Sequence, residues 1–197
     1  MANELIAAAE RGDTARVTGL LKDGADINGV DERGRTAALA ATHGNQPETF
    51  KALLDAGADI NIRDHRSDNP LLYAGAEGMP EIVKLAVEAG ADTALTNRYG
   101  GTALIPAADR GHAHIVQYLL EHSDVNIDHV NNLGWTALLE AVILGDGGSN
   151  HTEIVRLLTA HGADANLADK DGISPLAHAQ NRGYSEIAAI LKEAGAR

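Results

Sequence analysis

The chain has 197 residues, enough for one domain with a substantial core, and 44% of them are hydrophobic but only 3% aromatic. The apolar content is therefore mostly Ala, Leu, Ile and Val, which suits closely packed helices, and with no cysteine there is neither a disulfide framework nor a zinc–thiolate site. A formal net charge of −12 argues against nucleic acid or an anionic membrane as partner, since both demand a basic footprint, and favours, if anything, a basic partner.

The N-terminal stretch MANELIAAAERGD lacks a basic region followed by a long apolar run. Neither a signal peptide nor a membrane span is expected, and a soluble cytoplasmic protein is the default. Asn3 stands at a helix N-cap position and opens a truncated first unit over 1–29, with Glu4, Glu10, Arg11 and Asp13 available to face water. GADIN at 24–28 recurs at 57–61, and each time its glycine is placed to end a helix.

The second unit, 30–62, turns at Asp31–Gly34; Thr36 is placed to cap its first helix, and Pro47 to start its second. The third, 63–95, repeats the register with SDNPLL from Ser67, Asn69 as cap, EIVKL at 81–85 and GADTA at 90–94. The fourth, 96–129, has GGTALI from Gly100, Thr102 as cap and HIVQYLL at 114–120. Pro106 falls inside its first helix and is expected to perturb it. SDVNIDHVNN at 123–132 carries an extra residue and lacks the usual glycine, which predicts an irregular turn. The fifth unit, 130–167, has GWTALL from Gly134, Thr136 as cap and GADAN at 162–166. The sixth, 168–197, has GISPLA from Gly172, Ser174 as cap, a second helix near Ser185, Gly195 as its stop and a polar end in LKEAGAR.

Within the fifth unit, ILGDGGSNHTEIV at 143–155 looks at first like a phosphate-cradling loop ahead of a helix. No strand precedes it, as a phosphate loop would need. In register it is an enlarged helix–helix link, five residues longer than the Asp109–His114 link of the fourth unit. Gly145 matches the ordinary link glycine, Thr152 is expected to cap the second helix, and the surplus is Asp146 to Asn150. The loop borders the partner surface or covers apolar residues. The alternative is a small-molecule or anion site near 143–153, with weak enzymatic activity.

No nucleophile-elbow or Walker-type motif occurs, so no catalytic residue or cofactor is expected. Nine histidines raise the question of a metal. His112 and His114 are two apart and diverge on a helix, the others are scattered over different units, and no HExxH occurs, so no metal site is expected either.

A period near 33 residues, a G-x-T-[AP]-L opening and the G-A-D turns together resemble the ankyrin-repeat family over essentially the whole chain. The resemblance implies an all-α solenoid, a single domain over 1–197, of six helix–turn–helix units joined by β-turn or hairpin-like loops, the terminal ones acting as caps. No unit buries its apolar face alone, so stability comes from stacking. It further implies a non-enzymatic module that binds another protein and is monomeric by itself. The family places partner contacts on the turn tips and the concave side of the first helix. Here those positions hold Arg33, Arg35, Arg63 and Arg66 in the second and third units, and Arg98, Tyr99, Asp109 and Arg110 in the fourth. In the fifth they hold Leu133, Trp135, Ile143 and Leu144, with Glu140 also on the concave-facing helix. The apolar set centres the expected surface on the fourth and fifth units, and Trp135 either anchors a partner or folds over the stack. The family's T-P-L-H histidine is replaced by Leu39, Leu72, Ile105, Leu139 and Ala177, which removes a polar tie.

Overall fold

A computed structural model describes all residues, Met1–Arg197, as twelve α-helices without a strand. The chain divides into two compact units, Met1–Arg98 and Tyr99–Arg197. The first holds α1 (Ala2–Glu10), α2 (Thr14–Lys22), α3 (Ala37–His43), α4 (Pro47–Asp55), α5 (Pro70–Glu77) and α6 (Pro80–Glu88). The second holds α7 (Leu104–Asp109), α8 (Ala113–His122), α9 (Ala137–Ile143), α10 (Ser149–Ala160), α11 (Pro175–Asn181) and α12 (Ser185–Glu193). In each unit the helices pack as antiparallel pairs, first helices against first helices and second against second. This is the all-α repeat architecture that the period predicts.

Small side chains let the first helices approach closely. Ala37, Ala38, Ala40 and Ala41 of α3 are all fully buried, and so is Phe50 of α4, the only phenylalanine. Burying a side chain of that size contributes about 2–3 kcal/mol.

The caps fall largely where the sequence puts them. Thr36, Asn69, Thr136 and Ser174 each accept, through a side-chain oxygen, the N–H three residues on, at 2.9–3.2 Å. Asn3 does not: it lies inside α1, and Met1 precedes that helix without a side-chain bond. Thr102 does not either. Elsewhere the N–H four residues after the cap satisfies the cap's own carbonyl, as Ala40 does for Thr36. Four residues after Thr102 stands Pro106, which has no N–H. The Thr102 carbonyl takes the Ile105 N–H instead, at 3.2 Å, and the Thr102 hydroxyl is left buried without a bond. The helix then starts late, at Leu104.

Gly24, Gly57, Gly90, Gly162 and Gly195 follow second helices with φ between 78° and 90°, a left-handed conformation that favours glycine. Where that glycine is missing, α8 stops on an extended Ser123, whose hydroxyl donates to the Leu119 carbonyl at 2.6 Å. The turns that follow are hairpin-like: Asp31, Asp64, Asn131 and Asp169 each donate their N–H to the carbonyl four residues on, at 2.9–3.1 Å. Side chains also pass bonds from repeat to repeat. In the first unit Asn28 and Asn61 accept the N–H groups of Asp59 and Asp92, both at 2.9 Å. In the second, Asp128 and Asn166 accept those of Asp164 and Arg197, both at 3.0 Å. No helix is long and apolar enough to cross a membrane.

Candidate functional site

The exposed large apolar side chains are Met1, Val30, Tyr99, Val130, Leu133 and Leu144, and four of these six lie in the unit 99–197. Tyr99, Leu133 and Leu144 are each about half exposed, at 54%, 51% and 50%. Trp135 and Ile143 are half-buried, so Trp135 is neither fully presented nor sealed.

One turn organises this patch. The Asn131 side-chain oxygen accepts the N–H groups of Leu133 and Trp135 at 2.9 and 3.1 Å. The Asn131 amide then donates to Glu140 Oε1 of α9 at 2.7 Å. The Asn132 N–H donates to the Tyr99 carbonyl at 3.0 Å, which brings the two turn tips together. Leu144 follows one helical turn after Glu140, its N–H on the Glu140 carbonyl at 2.9 Å. Tyr99, Leu133, Trp135 and Leu144 are thus linked through Asn131, Asn132 and Glu140.

Glu140 is expected to contact a partner, yet it is only 6% exposed and serves as an internal tie. Burial, reinforced by the charge of Asp109 on the adjoining α7, pushes its carboxyl up to about 7 against the opposing effect of Asn131. Burial also raises Asp109, and Arg110 and His151 only partly offset this. An equivalent tie stands in the sixth repeat, where His178 Nε2 donates to Asp169 Oδ2 at 2.7 Å. Asn131 belongs to the site as its brace, a role the sequence reading does not assign to it. Its signal was readable: it stands where Asp31, Asp64 and Asp169 stand, and Glu140 follows its cap by four residues as His178 follows Ser174.

The basic tips of the unit 1–98 fare differently. Arg33, Arg66 and Arg98 are exposed. Arg35 is not part of an open cluster: its side chain is 11% exposed, and its guanidinium bonds Asp31 at 2.9 Å and Glu10 at 3.0 Å. Arg110 of the second unit is exposed and Asp109 is half-buried.

The glycine-rich link is pinned rather than open. Helix α10 begins at Ser149, three residues before the expected cap, so Thr152 lies buried inside the helix and Gly148 precedes it. The left-handed residue of the link is Gly147, with φ 71°. The five surplus residues add an early turn to α10 and move the sharp bend two positions on. Asp146 accepts the Gly148 N–H at 2.8 Å and His151 Nδ1 at 2.9 Å, and these bonds hold its carboxyl below the usual range. His151 Nε2 stands 2.8 Å from the Asp109 carbonyl oxygen, and the Tyr184 hydroxyl donates to the Gly145 carbonyl at 2.9 Å. A carboxylate already sits on the N–H that an anion would use, so the geometry favours a buttressed border to the patch over an anion cradle. No group of three or more His, Cys, Asp or Glu residues is arranged to hold a metal.

Removing both pins, as in His151→Ala with Tyr184→Phe, is expected to destabilise the chain by about 1–3 kcal/mol and to speed cleavage at Asp146 by an aspartate-directed endoproteinase. An unchanged cleavage rate sinks this assignment.

A protein-family model described as ankyrin repeats matches residues 3–64 and 71–168. An ankyrin repeat domain from Acinetobacter baumannii AYE is 51% identical with a TM-score of 0.95, the match covering 98% of each chain. The crystal structure of EF0377, an ankyrin repeat protein, gives 42% identity and a TM-score of 0.93, again over 98% of each chain. YahD of Escherichia coli (strain K12), named for its ankyrin repeats, is 49% identical over 81 residues, 41% of this chain and 40% of its own length. The chain spans about two fifths of the length of the curated relatives it matches.

Proposed function

Because the chain belongs to the ankyrin-repeat family, whose repeats generally mediate protein–protein interaction, we propose that it is a non-enzymatic module that binds a protein through the patch in residues 99–197. Tyr99, Leu133, Trp135, Ile143 and Leu144 supply its apolar contacts, and Asp109 and Arg110 its charged edge. Within residues 1–98, the exposed Arg33, Arg66 and Arg98 form a contact set of their own. The protein works in the cytoplasm and is monomeric when alone.

The single observation that carries this reading is the grouping of half-exposed Tyr99, Leu133 and Leu144 around one internally braced turn. Large apolar groups that a fold leaves exposed together mark an interaction site. Rigid bracing lowers the ordering cost of binding, because the contact groups are already placed.

The double substitution Leu133→Ala with Trp135→Ala tests it. Quantitative mass spectrometry of co-purifying proteins from the native organism is expected to show recovery of the specific partner reduced by about tenfold or more, with helicity retained. An unchanged partner list with an intact fold rules out this location.

A further inference from the structure

Two turn tips within residues 1–98 present positive charge on an acidic chain. Arg33 and Arg66 stand at one position of successive repeats, each on a turn braced from inside. Asp31 Oδ1 accepts the N–H groups of Arg33 and Arg35, both at 2.9 Å, and Asp64 Oδ1 those of Arg66 and Asp68 at 2.8 and 3.0 Å. The tips adjoin: the His65 N–H donates to the Arg33 carbonyl at 2.9 Å, and the His65 ring lies against Gly34.

The acids of these turns do little to neutralise the two arginines. Asp31 also holds the Arg35 guanidinium, and Asp64 is buried beneath its own turn. Asp68 comes no nearer than 3.8 Å to Arg66, whose side chain stays 65% exposed. Glu32 is exposed and pairs with neither arginine, and the exposed Arg33 side chain makes no bond within the chain.

Ser67 is a second, independent observation at the same place. Its φ is 63°, where Gly34, Gly100, Gly134 and Gly172 of the other repeats have φ between 74° and 87°. A side chain in that left-handed region is strained. The strain brings no bond in return, because the Ser67 hydroxyl makes none within the chain. The fold thus leaves two guanidiniums and a hydroxyl idle on adjoining tips.

We propose that these tips dock an acidic segment of a protein partner, with one carboxylate on Arg33 and another on Arg66, the second also accepting the Ser67 hydroxyl. Guanidiniums bind carboxylates in a fork, which gives such a contact direction as well as strength. Packed repeats set equivalent residues about 8–10 Å apart, the spacing of neighbouring helices. An extended segment rises about 3.3 Å per residue, so acidic residues two or three apart match the two arginines. The net charge of −12 opposes a long polyanion, which must lie over the acidic body as well. A short segment meets only the tips, since salt screens the remaining field over about 8 Å. This site is separate from the apolar patch of residues 99–197.

The probe is a random peptide display library selected on the full chain at low salt, followed by fluorescence anisotropy of the enriched peptides. Peptides with two acidic residues two or three apart are expected, binding about tenfold or more weakly to the Arg33→Gln, Arg66→Gln variant. The Lys51→Gln, Lys84→Gln variant removes the same charge from α4 and α6 and is expected to bind within about twofold of wild type. Ser67→Gly is expected to bind about threefold more weakly while melting about 2–4 °C higher, an opposition that a merely structural serine would not produce. No enrichment of acidic peptides, equal binding by the arginine variant, or an equal loss on the lysine variant overturns the inference. Unchanged binding by Ser67→Gly overturns the role of the hydroxyl. A DNA duplex, or vesicles containing phosphatidylserine, that bind these arginines more tightly than the peptides do overturn the choice of a protein segment.

Discussion

Glu140→Gln is expected to stabilise the protein at pH 8 by on the order of 2–3 kcal/mol, raising the melting temperature by about 4–12 °C. The carboxyl is buried and sits near 7 in the folded chain, against 4.5 as its reference value. Between those two values the folded state holds a proton that the unfolded state has released. Stability therefore falls as pH rises from about 4.5 to 7 and stays low above it. Glutamine carries no charge in either state and still presents an oxygen to the Asn131 amide. Its advantage at pH 8 is expected to shrink to nothing near pH 5. Thermal unfolding of both proteins across pH 4.5–8.5 checks this, and two parallel curves would show that Glu140 ionises as freely as a surface carboxylate.

Gly145→Ala is expected to cost about 3 kcal/mol or more, seen as a melting temperature lower by about 6–12 °C. The reason is space rather than backbone angle, since the left-handed bend of this link belongs to Gly147. A Cβ on Gly145 would lie 2.1 Å from the Ala141 carbonyl oxygen and 2.7 Å from the His151 ring. The first is backbone of α9 and cannot swing away. The second is the imidazole that joins the link to the Asp109 carbonyl, so relief in that direction breaks the pin. Gly162→Ala is the useful control, because a Cβ there meets nothing within 4 Å and only the positive φ is strained. Calorimetry showing the Gly145 variant to be no worse than the Gly162 variant would refute the crowding argument.

The fold was legible where its determinants are local in sequence. Thr36, Asn69, Thr136 and Ser174 cap helices because the bond closes over three residues, and five glycines end second helices because the left-handed angle is a property of one residue. Thr102 failed for a reason also written in the sequence, the missing N–H of Pro106, but its consequence runs through a carbonyl that competes for a neighbour's donor. Thr152 is displaced from its expected cap because an insertion can be taken up as loop or as extra helix, and register alone does not choose between them. The chemistry of the site was less legible. Position in the repeat places Arg35 and Glu140 toward a partner-facing side, whereas burial depends on what stands beside them in space. Arg35 is drawn down onto Asp31 and Glu10, and Glu140 onto Asn131. Both became internal ties once their neighbours were in place. The half-exposure of Tyr99, Leu133 and Leu144, by contrast, follows from their turn-tip and helix-end positions.

The bonds that pass from repeat to repeat also bear on how the protein ages. Asn28 is followed by Gly29, the pairing most prone to spontaneous deamidation because a small successor lets its backbone nitrogen attack the amide. What Asn28 gives the next repeat is an acceptor oxygen for the Asp59 N–H, and simple hydrolysis to aspartate keeps that oxygen. The second unit already uses the product: Asp128 performs the same task for Asp164 at 3.0 Å. Only the isoaspartyl product, which threads an additional methylene into the main chain, would move that oxygen out of place. This linkage between repeats is therefore indifferent to the loss of the amide nitrogen and sensitive to the rerouting of the backbone.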